Sequence, residues 1–482
     1  MAKSKPRYKR VAQLKSPEDF KEHIQQLGLD LPFKEVMSEP SHSSLATGVD
    51  LKSGKTIGNR FCILPMEGWD GTQDGLPSEL TRRRWHNFAS SGAKLLWGCE
   101  AVAVRPEGRA NPNQLMMNPA TIDQLKRLHD EVMEIHHEKF GDTSDFEVGL
   151  QLTHSGRFAR PEKGKQAQPI ILYHHSVLDQ KLGLPDDYPL MTDDDIDRLV
   201  EDFVVASEMA ASAGFDFVDI KHCHGYLGHE FLSAFNRPGK YGGDLNGRTR
   251  FLRSVVSGIQ STSNIEVGVR VSAFDWIPFK QGTDGVGQPF EYLGDYHEGF
   301  GCDASGQQVD YGEIFGLFDI FEDLGIEMVC VTGGSPYYVP HIQRPALFPP
   351  SDGYLPPEDP LIGVARQIKI TGEIKKNFHN LKIVGSAYSY LQEWLPPVAE
   401  AVVDAGMADF IGLGRMVLSY PDMPADILAG NQLSRGKICR TFSDCTTGPR
   451  QGMISGCFPL DPFYKQMPEA AELKEIKKQL ET

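Results

Sequence analysis

Short apolar runs recur along the chain and alternate with stretches that keep a helical spacing. The runs fall at residues 60–66 (RFCILPM), 94–104, 146–152, 215–220, 266–271, 327–332, 382–385 and 409–413. Several are apolar almost throughout, as strands of a parallel sheet buried on both faces must be. Between them, Ile122, Leu125, Leu128, Val132 and Ile135 recur at three- and four-residue steps, the period of one helix face. Thr192 with Asp195 opens a second helix as a capping box with Asp in the Glu/Gln position. Ile196, Leu199, Phe203 and Ala206 follow on one face, and Gly214 closes it. A third helix is predicted over 394–405, ending at Gly406.

Eight strand–helix repeats predict an α/β fold, a TIM (β/α)8 barrel, rather than an open sheet. Two long βα loops, 159–191 and 274–308, are expected as lids over the C-terminal face of the barrel. The chain divides into an N-terminal extension (1–45), the barrel (46–433) and a short C-terminal tail (434–482). The tail ends in a charged helical stretch, 468–480, which reads as a solvated face or a docking helix. No glycine-rich dinucleotide fingerprint follows a strand. Gly282, Gly285 and Gly287 lie in a loop with no strand before them.

Charge and cysteine content narrow the functional classes. In 482 residues, 65 acidic against 49 basic side chains give a net charge of −16. That balance disfavours a nucleic-acid partner. The start, Met1 to Arg10, is basic, but no apolar run of signal or membrane-spanning length follows it. A cytoplasmic protein without a membrane partner is expected. Its partner is a small-molecule substrate, and self-association into a homo-oligomer is left open. Eight cysteines in this length are not a disulfide scaffold. Cys62, Cys99 and Cys330 lie in apolar runs and read as buried thiols.

Catalytic groups of such a barrel come from the C-terminal ends of its strands. In order, those ends carry Pro65-Met66-Glu67, Cys99-Glu100-Ala101, Gln151 with His154, Lys221 to Tyr226, Arg270, Gly385-Ser386 and Gly414-Arg415. Small residues at the last two let backbone N–H groups approach an anion, and Arg415 adds a bidentate donor. A phosphate site is expected there. His222, His224 and His229 have no carboxylate cluster beside them except Glu230, so no metal is assigned. His222 and His224 are expected on one face of the strand end. Lys221, His224 and Tyr226 read as a substrate-facing set, two donors for an oxyanion and one phenol as proton donor. Lys221 and His224 converge only if the strand ends between them.

From Asn59 to Leu428 the motifs resemble the old yellow enzyme family of FMN-dependent oxidoreductases. The resemblance rests on Asn59-Arg60 with Pro65-Met66, Gln151 with His154 and Gly156-Arg157, His224-Gly225-Tyr226-Leu227, Arg270 with Ser272, and Gly412-Leu413-Gly414-Arg415. It implies FMN as cofactor and NAD(P)H as electron donor. Pro65, Met66, Glu67, Ala101 and Gln151 would surround the flavin ring, and Arg270 would stand by its N1/O2 edge. Gly385, Ser386, Gly414 and Arg415 would hold the phosphate. Tyr226 would be the proton donor, with Lys221 and His224 polarising a substrate carbonyl. The implied reaction is reduction of an activated C=C bond of enone or enoate type. The alternative is a dehydrogenase or demethylase of a small amine that passes electrons to a partner.

Three positions depart from the family pattern. Lys221 replaces a histidine; either it clamps the substrate or it pairs with a nearby acid, for which Glu67 is the candidate. Glu67 stands where relatives carry Thr or Cys. Trp69 is expected to narrow the pocket. In the tail, Cys439, Cys445 and Cys457 resemble three of the four ligands of an iron–sulfur motif found in larger relatives such as 2,4-dienoyl-CoA reductase and trimethylamine dehydrogenase. Phe442 falls near the place of the second ligand. The expectation is a degenerate segment that keeps its fold without a cluster, and a chain lacking those relatives' nucleotide-binding domains.

Overall fold

The computed structural model describes residues 8–164 and 167–480. The basic residues 1–7 of the N-terminus lie outside it. Nine parallel strand segments form one closed sheet: β1 Phe61–Ile63, β2 Leu95–Leu96, β3 Ala101–Ala103, β4 Glu147–Thr153, β5 Phe217–Ile220, β6 Glu266–Ser272, β7 Met328–Thr332, β8 Lys382–Gly385 and β9 Phe410–Leu413. β9 pairs with β1 through Ile411–Phe61, which closes the barrel. Each crossover carries a helix: α1 Glu79–Ala89, α2 Ile122–Phe140, α3 Asp193–Ser212, α4 Arg250–Thr262, α5 Tyr311–Asp323, α6 Pro360–Asn377, α7 Leu395–Asp404 and, after β9, α8 Met423–Leu428. The predicted (β/α)8 barrel is present. α3 opens as expected, with the Asp195 amide donating to Thr192 Oγ1 and the Thr192 amide to Asp195 Oδ2.

β2 and β3 are one barrel strand in two pieces, where the sequence predicts a continuous run over 94–104. Leu95 pairs with Glu147 and Ala101 with Gln151, so six steps on one side face four on the other. The two surplus residues bulge out at Gly98–Cys99, and Cys99 takes a positive φ of 47°. The bulge faces the C-terminal end. Its Cys99 carbonyl accepts the Met66 amide at 3.0 Å, and the next side chain, Glu100, accepts the Gly68 amide at 3.1 Å. A bulge thus re-aims two loops at the barrel mouth.

The barrel interior is filled by Cys62, Leu95, Trp97, Phe217, Met328, Cys330, Val384 and Phe410, and they pack with Val49, Leu51 and Ile57 of a short antiparallel hairpin that pairs Val49–Asp50 with Thr56–Ile57 before β1. Cys62, Cys99 and Cys330 are buried, as expected. The larger apolar layer lies between strands and helices. The tail does not stand apart. In α10, Glu469–Leu480, which follows α9, Asp444–Arg450, Leu473 is buried against Met453, Phe458 and Tyr464. Both readings of that stretch hold, one side docking through Leu473 and the rest forming a solvated face. Trp69 donates its amide to Ser455 Oγ at 2.9 Å, and Arg83 pairs with Asp461 at 2.9 Å.

Candidate active site

The main cavity opens at the C-terminal ends of the strands. Pro65, Met66, Glu67, Gln151, Lys221, His224, Tyr226, Arg270, Ser386, Gly414 and Arg415 all line it. Ala101 and Gly385, expected beside the flavin and its phosphate, do not. The Ala101 carbonyl is taken by Gln114 Nε2 at 3.0 Å, and a Cβ on Gly385 would press on the Tyr388 hydroxyl at 2.8 Å. Trp69 is in the wall, as expected. The two long loops contribute nothing to the wall among the described residues. They bind one another instead, His175 Nε2 lying 3.2 Å from the Tyr296 hydroxyl and the Ser176 amide donating to Glu298 at 2.9 Å. The mouth is covered by two segments without a strand-end signal: the loop after β7, with Pro336, Tyr337, Gln343 and Arg344, and the tail, with Cys445, Thr446 and Arg450.

Lys221 and His224 reach one cavity because β5 ends at Ile220 and the chain then turns sharply, with φ of 69° at His224 and 79° at Gly225. The polar groups of this left-handed turn are satisfied. The His224 amide donates to Ser272 Oγ (3.1 Å), its carbonyl accepts Ser335 Oγ (2.8 Å), and the Gly225 amide donates to His229 Nδ1 (2.8 Å). His222 does not share a face with His224. Its Nδ1 bonds the Ile220 carbonyl at 2.9 Å, and its ring packs by Phe251 on the helix side.

One hydrogen-bonded group surrounds the Tyr226 phenol. The hydroxyl lies 2.9 and 2.7 Å from the two oxygens of Glu67 and 2.7 Å from the Tyr337 hydroxyl. Burial, and then the Glu67 charge, raise the Tyr226 phenol well above its ordinary 10. The Tyr226 phenol therefore keeps its proton over the whole physiological range. Lys221 Nζ is 3.6 Å from Glu67 Oε2, so the acid candidate for Lys221 is the one beside it. Gln343 Nε2 donates to His224 Nε2 at 3.0 Å, which puts the ring proton on Nδ1. Burial, then Arg270 and Lys221, hold His224 well below 6.5, so the ring is neutral.

The other side of the cavity is organised by Asp219, which the sequence reading did not single out. Its carboxylate accepts Trp97 Nε1 at 2.7 Å, Gln151 Nε2 at 2.5 Å and the Arg270 amide at 2.6 Å. Burial raises it to about 6. It fixes Gln151 and the strand that carries Arg270. Arg270 Nε, Arg415 Nη1 and Thr332 Oγ1 are buried with no partner, and all three residues line the cavity. A buried donor without an acceptor costs roughly 1–3 kcal/mol. A flat, acceptor-rich, anionic group such as FMN fits this set of unpartnered donors.

The three tail cysteines divide. Cys445 lines the main cavity, whereas Cys457 joins it only in a smaller adjacent cleft behind Glu67. Cys439 Sγ accepts the Thr441 amide at 3.4 Å. Among the described residues, no group of three or more His, Cys, Asp or Glu side chains is arranged to hold a metal ion. Likewise, no helix is long and apolar enough to cross a membrane.

Residues 44–314 match the model of the NADH:flavin oxidoreductase / NADH oxidase family. An NADPH dehydrogenase of Halalkalibacterium halodurans is 32% identical over 226 residues, 46% of this chain and 62% of that protein. An NADPH dehydrogenase of Bacillus licheniformis is 27% identical over 390 residues, 80% of this chain and 94% of its own length. The first of these matches thus spans less than two thirds of the relative. Among solved structures, the old yellow enzyme homologue of Zymomonas mobilis superimposes with a TM-score of 0.54 at 21% identity, over 81% of this chain and 94% of its own. A 2-naphthoyl-CoA reductase complex does so with a TM-score of 0.65 at 17% identity, over 89% of this chain and 58% of its own. These two likenesses establish the barrel architecture. Together with strand-end residues gathered around one acceptor-seeking cavity, the family match means that this chain belongs to the NADH:flavin oxidoreductase / NADH oxidase family.

Proposed function

We propose that the chain is an FMN-dependent oxidoreductase that takes electrons from NAD(P)H and reduces an electron-poor C=C bond of enone or enoate type. The observation that carries the reading is the Tyr226 phenol, kept protonated inside the cavity between Glu67 and Tyr337. A redox enzyme that only removes electrons from its substrate has no need of such a donor. FMN, when bound and reduced, supplies a hydride to one alkene carbon. The chain's residues do the rest. Arg415, Ser386 and Gly414 hold the phosphate, and Gln151 and Arg270 orient the ring system, backed by Asp219. Lys221 and His224 Nδ1–H bind the substrate carbonyl and stabilise negative charge on its oxygen. Tyr226 Oη–H gives a proton to the other alkene carbon. The barrel, residues 46–433, is the flavin-binding unit in this reading, and the tail completes the substrate wall. All eight cysteines are free, which supports a reducing, cytoplasmic setting.

The experiment is anaerobic and has two halves. NADPH or NADH is mixed with flavin-loaded protein and bleaching of the flavin is followed; the reduced protein is then mixed with 2-cyclohexenone and the colour is followed back. Bleaching by NAD(P)H and recovery with the enone are expected. If neither pyridine nucleotide bleaches the flavin and a small amine does, the reductase reading is lost to the dehydrogenase one.

A further inference from the structure

The charged side chains that line the cavity are Lys221, Arg270, Arg344, Arg415, Arg450 and a single acid, Glu67. Five cationic groups against one acid leave an excess of four in the lining, and Asp352, which pairs with Arg450 at 3.0 Å from outside the lining, offsets one. The phosphate of FMN offsets about two. Part of the remaining excess sits beside the phosphate seat and part beyond it. Arg344 lies on the loop after β7, where the next residue, Pro345, accepts Arg415 Nη2 at 3.0 Å, and Arg450 ends α9 of the tail.

Arg344 has no carboxylate partner among the described residues. Its Nη1 donates to Thr446 Oγ1, and its Nη2 is buried with no hydrogen bond. Burial, then Arg450 and Arg415, push its pKa down, the mark of a guanidinium facing cations with too little negative charge nearby. Arg450 is anchored by Asp352 at 3.0 Å and by the Pro336 carbonyl at 3.0 Å. Both arginines connect to the groups around Tyr226 and His224, Arg344 through one residue and Arg450 through two. Arg344 follows Gln343, whose amide bonds His224. Arg450 bonds Pro336, which precedes Tyr337, whose hydroxyl meets that of Tyr226.

We propose that Arg344 and Arg450 form a subsite for an anionic group carried by the substrate, a carboxylate or a phosphate, beside Tyr226 and His224. The inference deepens the function proposed above and rests on it for the word substrate. The chemistry is that of a planar guanidinium, Arg344, whose buried Nη2 has no acceptor, beside a second one, Arg450, held in place by Asp352; an oxyanion suits that free donor. The same excess of positive charge disfavours an ammonium substrate.

Binding rather than turnover tests it, so that failure of ene-reduction and failure of the subsite read differently. Oxidised, flavin-loaded protein is titrated with benzoate, phenyl phosphate and methyl benzoate, and displacement of the flavin absorption bands is followed. The expected result is binding of one of the two anions at least tenfold tighter than the neutral ester. Benzoate in front identifies a carboxylate subsite and phenyl phosphate in front a phosphate one. In Arg344→Gln and in Arg450→Gln that preference is expected to shrink at least tenfold. Equal binding of anion and ester by the unaltered protein overturns the proposal, and so does a preference that survives both substitutions. Loss of flavin from Arg344→Gln also overturns it, because Arg344 then belongs to the cofactor phosphate. Should Arg344→Gln not fold, Arg450→Gln, whose side chain is one-quarter exposed, gives the same readout.

Discussion

The Lys221 ammonium stands 3.9 Å from the centroid of the Tyr226 ring, while the Glu67 carboxylate holds the hydroxyl of that same ring. One phenol is thus placed between a cation on its face and an anion at its tip. The cation favours the phenolate and the anion favours the phenol. With burial on its side, the anion prevails, since the pKa lies well above 10.

That balance sets a pH dependence. A group whose pKa exceeds 10 keeps its proton up to pH 10, so reoxidation of the reduced enzyme by an enone is expected to show no loss attributable to Tyr226 between pH 7 and 10. Burial, the larger cause of the raised phenol, stays in place in Glu67→Gln, but the charge that adds to it is removed and Lys221 is left unopposed. Its pKa then falls, and a descending limb enters the profile from the alkaline side. Stopped-flow pH profiles of the two proteins check this; superimposable profiles would refute the control of Tyr226 by Glu67.

Tyr226→Phe separates the half-reactions. Reduction of the flavin by NADPH needs no proton from the phenol and is expected to stay within a few-fold. Reoxidation by 2-cyclohexenone should fall by roughly 10²–10⁴, the usual weight of a positioned acid. Equal losses in both half-reactions, measured separately by stopped flow, would mean that the phenol shapes the cavity rather than donates.

Asp219→Ala leaves the buried Trp97 indole N–H, the Gln151 amide and the Arg270 backbone N–H without their common acceptor. Hydrogen bonds to a charged group contribute about 1.5–3 kcal/mol each. Urea unfolding should report a loss of at least about 3 kcal/mol, together with weaker flavin retention on dialysis. Asp219→Asn keeps one oxygen acceptor and should lose less.

Gly98→Ala tests the strand-two bulge. A Cβ there would lie 2.7 Å from the Gln151 backbone nitrogen, a clash with a barrel strand rather than with a movable side chain. Displacement of the bulge shifts Gln151 and, through the Cys99 carbonyl, Met66. Protein purified with this change is expected to be flavin-poor, as the ratio of 450 to 280 nm absorbance would record.

Most of the barrel was legible because a parallel strand buried on both faces must be written in apolar residues, and the runs at 215–220, 327–332 and 409–413 contain β5, β7 and β9. The bulge was not legible, because residues 94–104 are apolar on both sides of it and Cys99 carries no signature of a positive φ. The strand ends led to Tyr226, Lys221 and Glu67, since barrel geometry fixes where such ends meet. Tyr337, Arg344 and Arg450 escaped, because loop-to-tail bonds such as Ser443 Oγ to the Phe348 carbonyl route them to the mouth. Asp219 escaped for another reason: one acid inside an apolar strand gives no hint of the three donors that converge on it.

The seat of the tail orders events in time. Synthesis runs from the amino end, so every strand of the barrel is made before Thr446 and Arg450 exist. A nascent barrel can close around its core while its mouth still lacks one wall. The wall that carries Thr446 and Arg450 is thus laid over a fold that already exists beneath it, rather than built together with it.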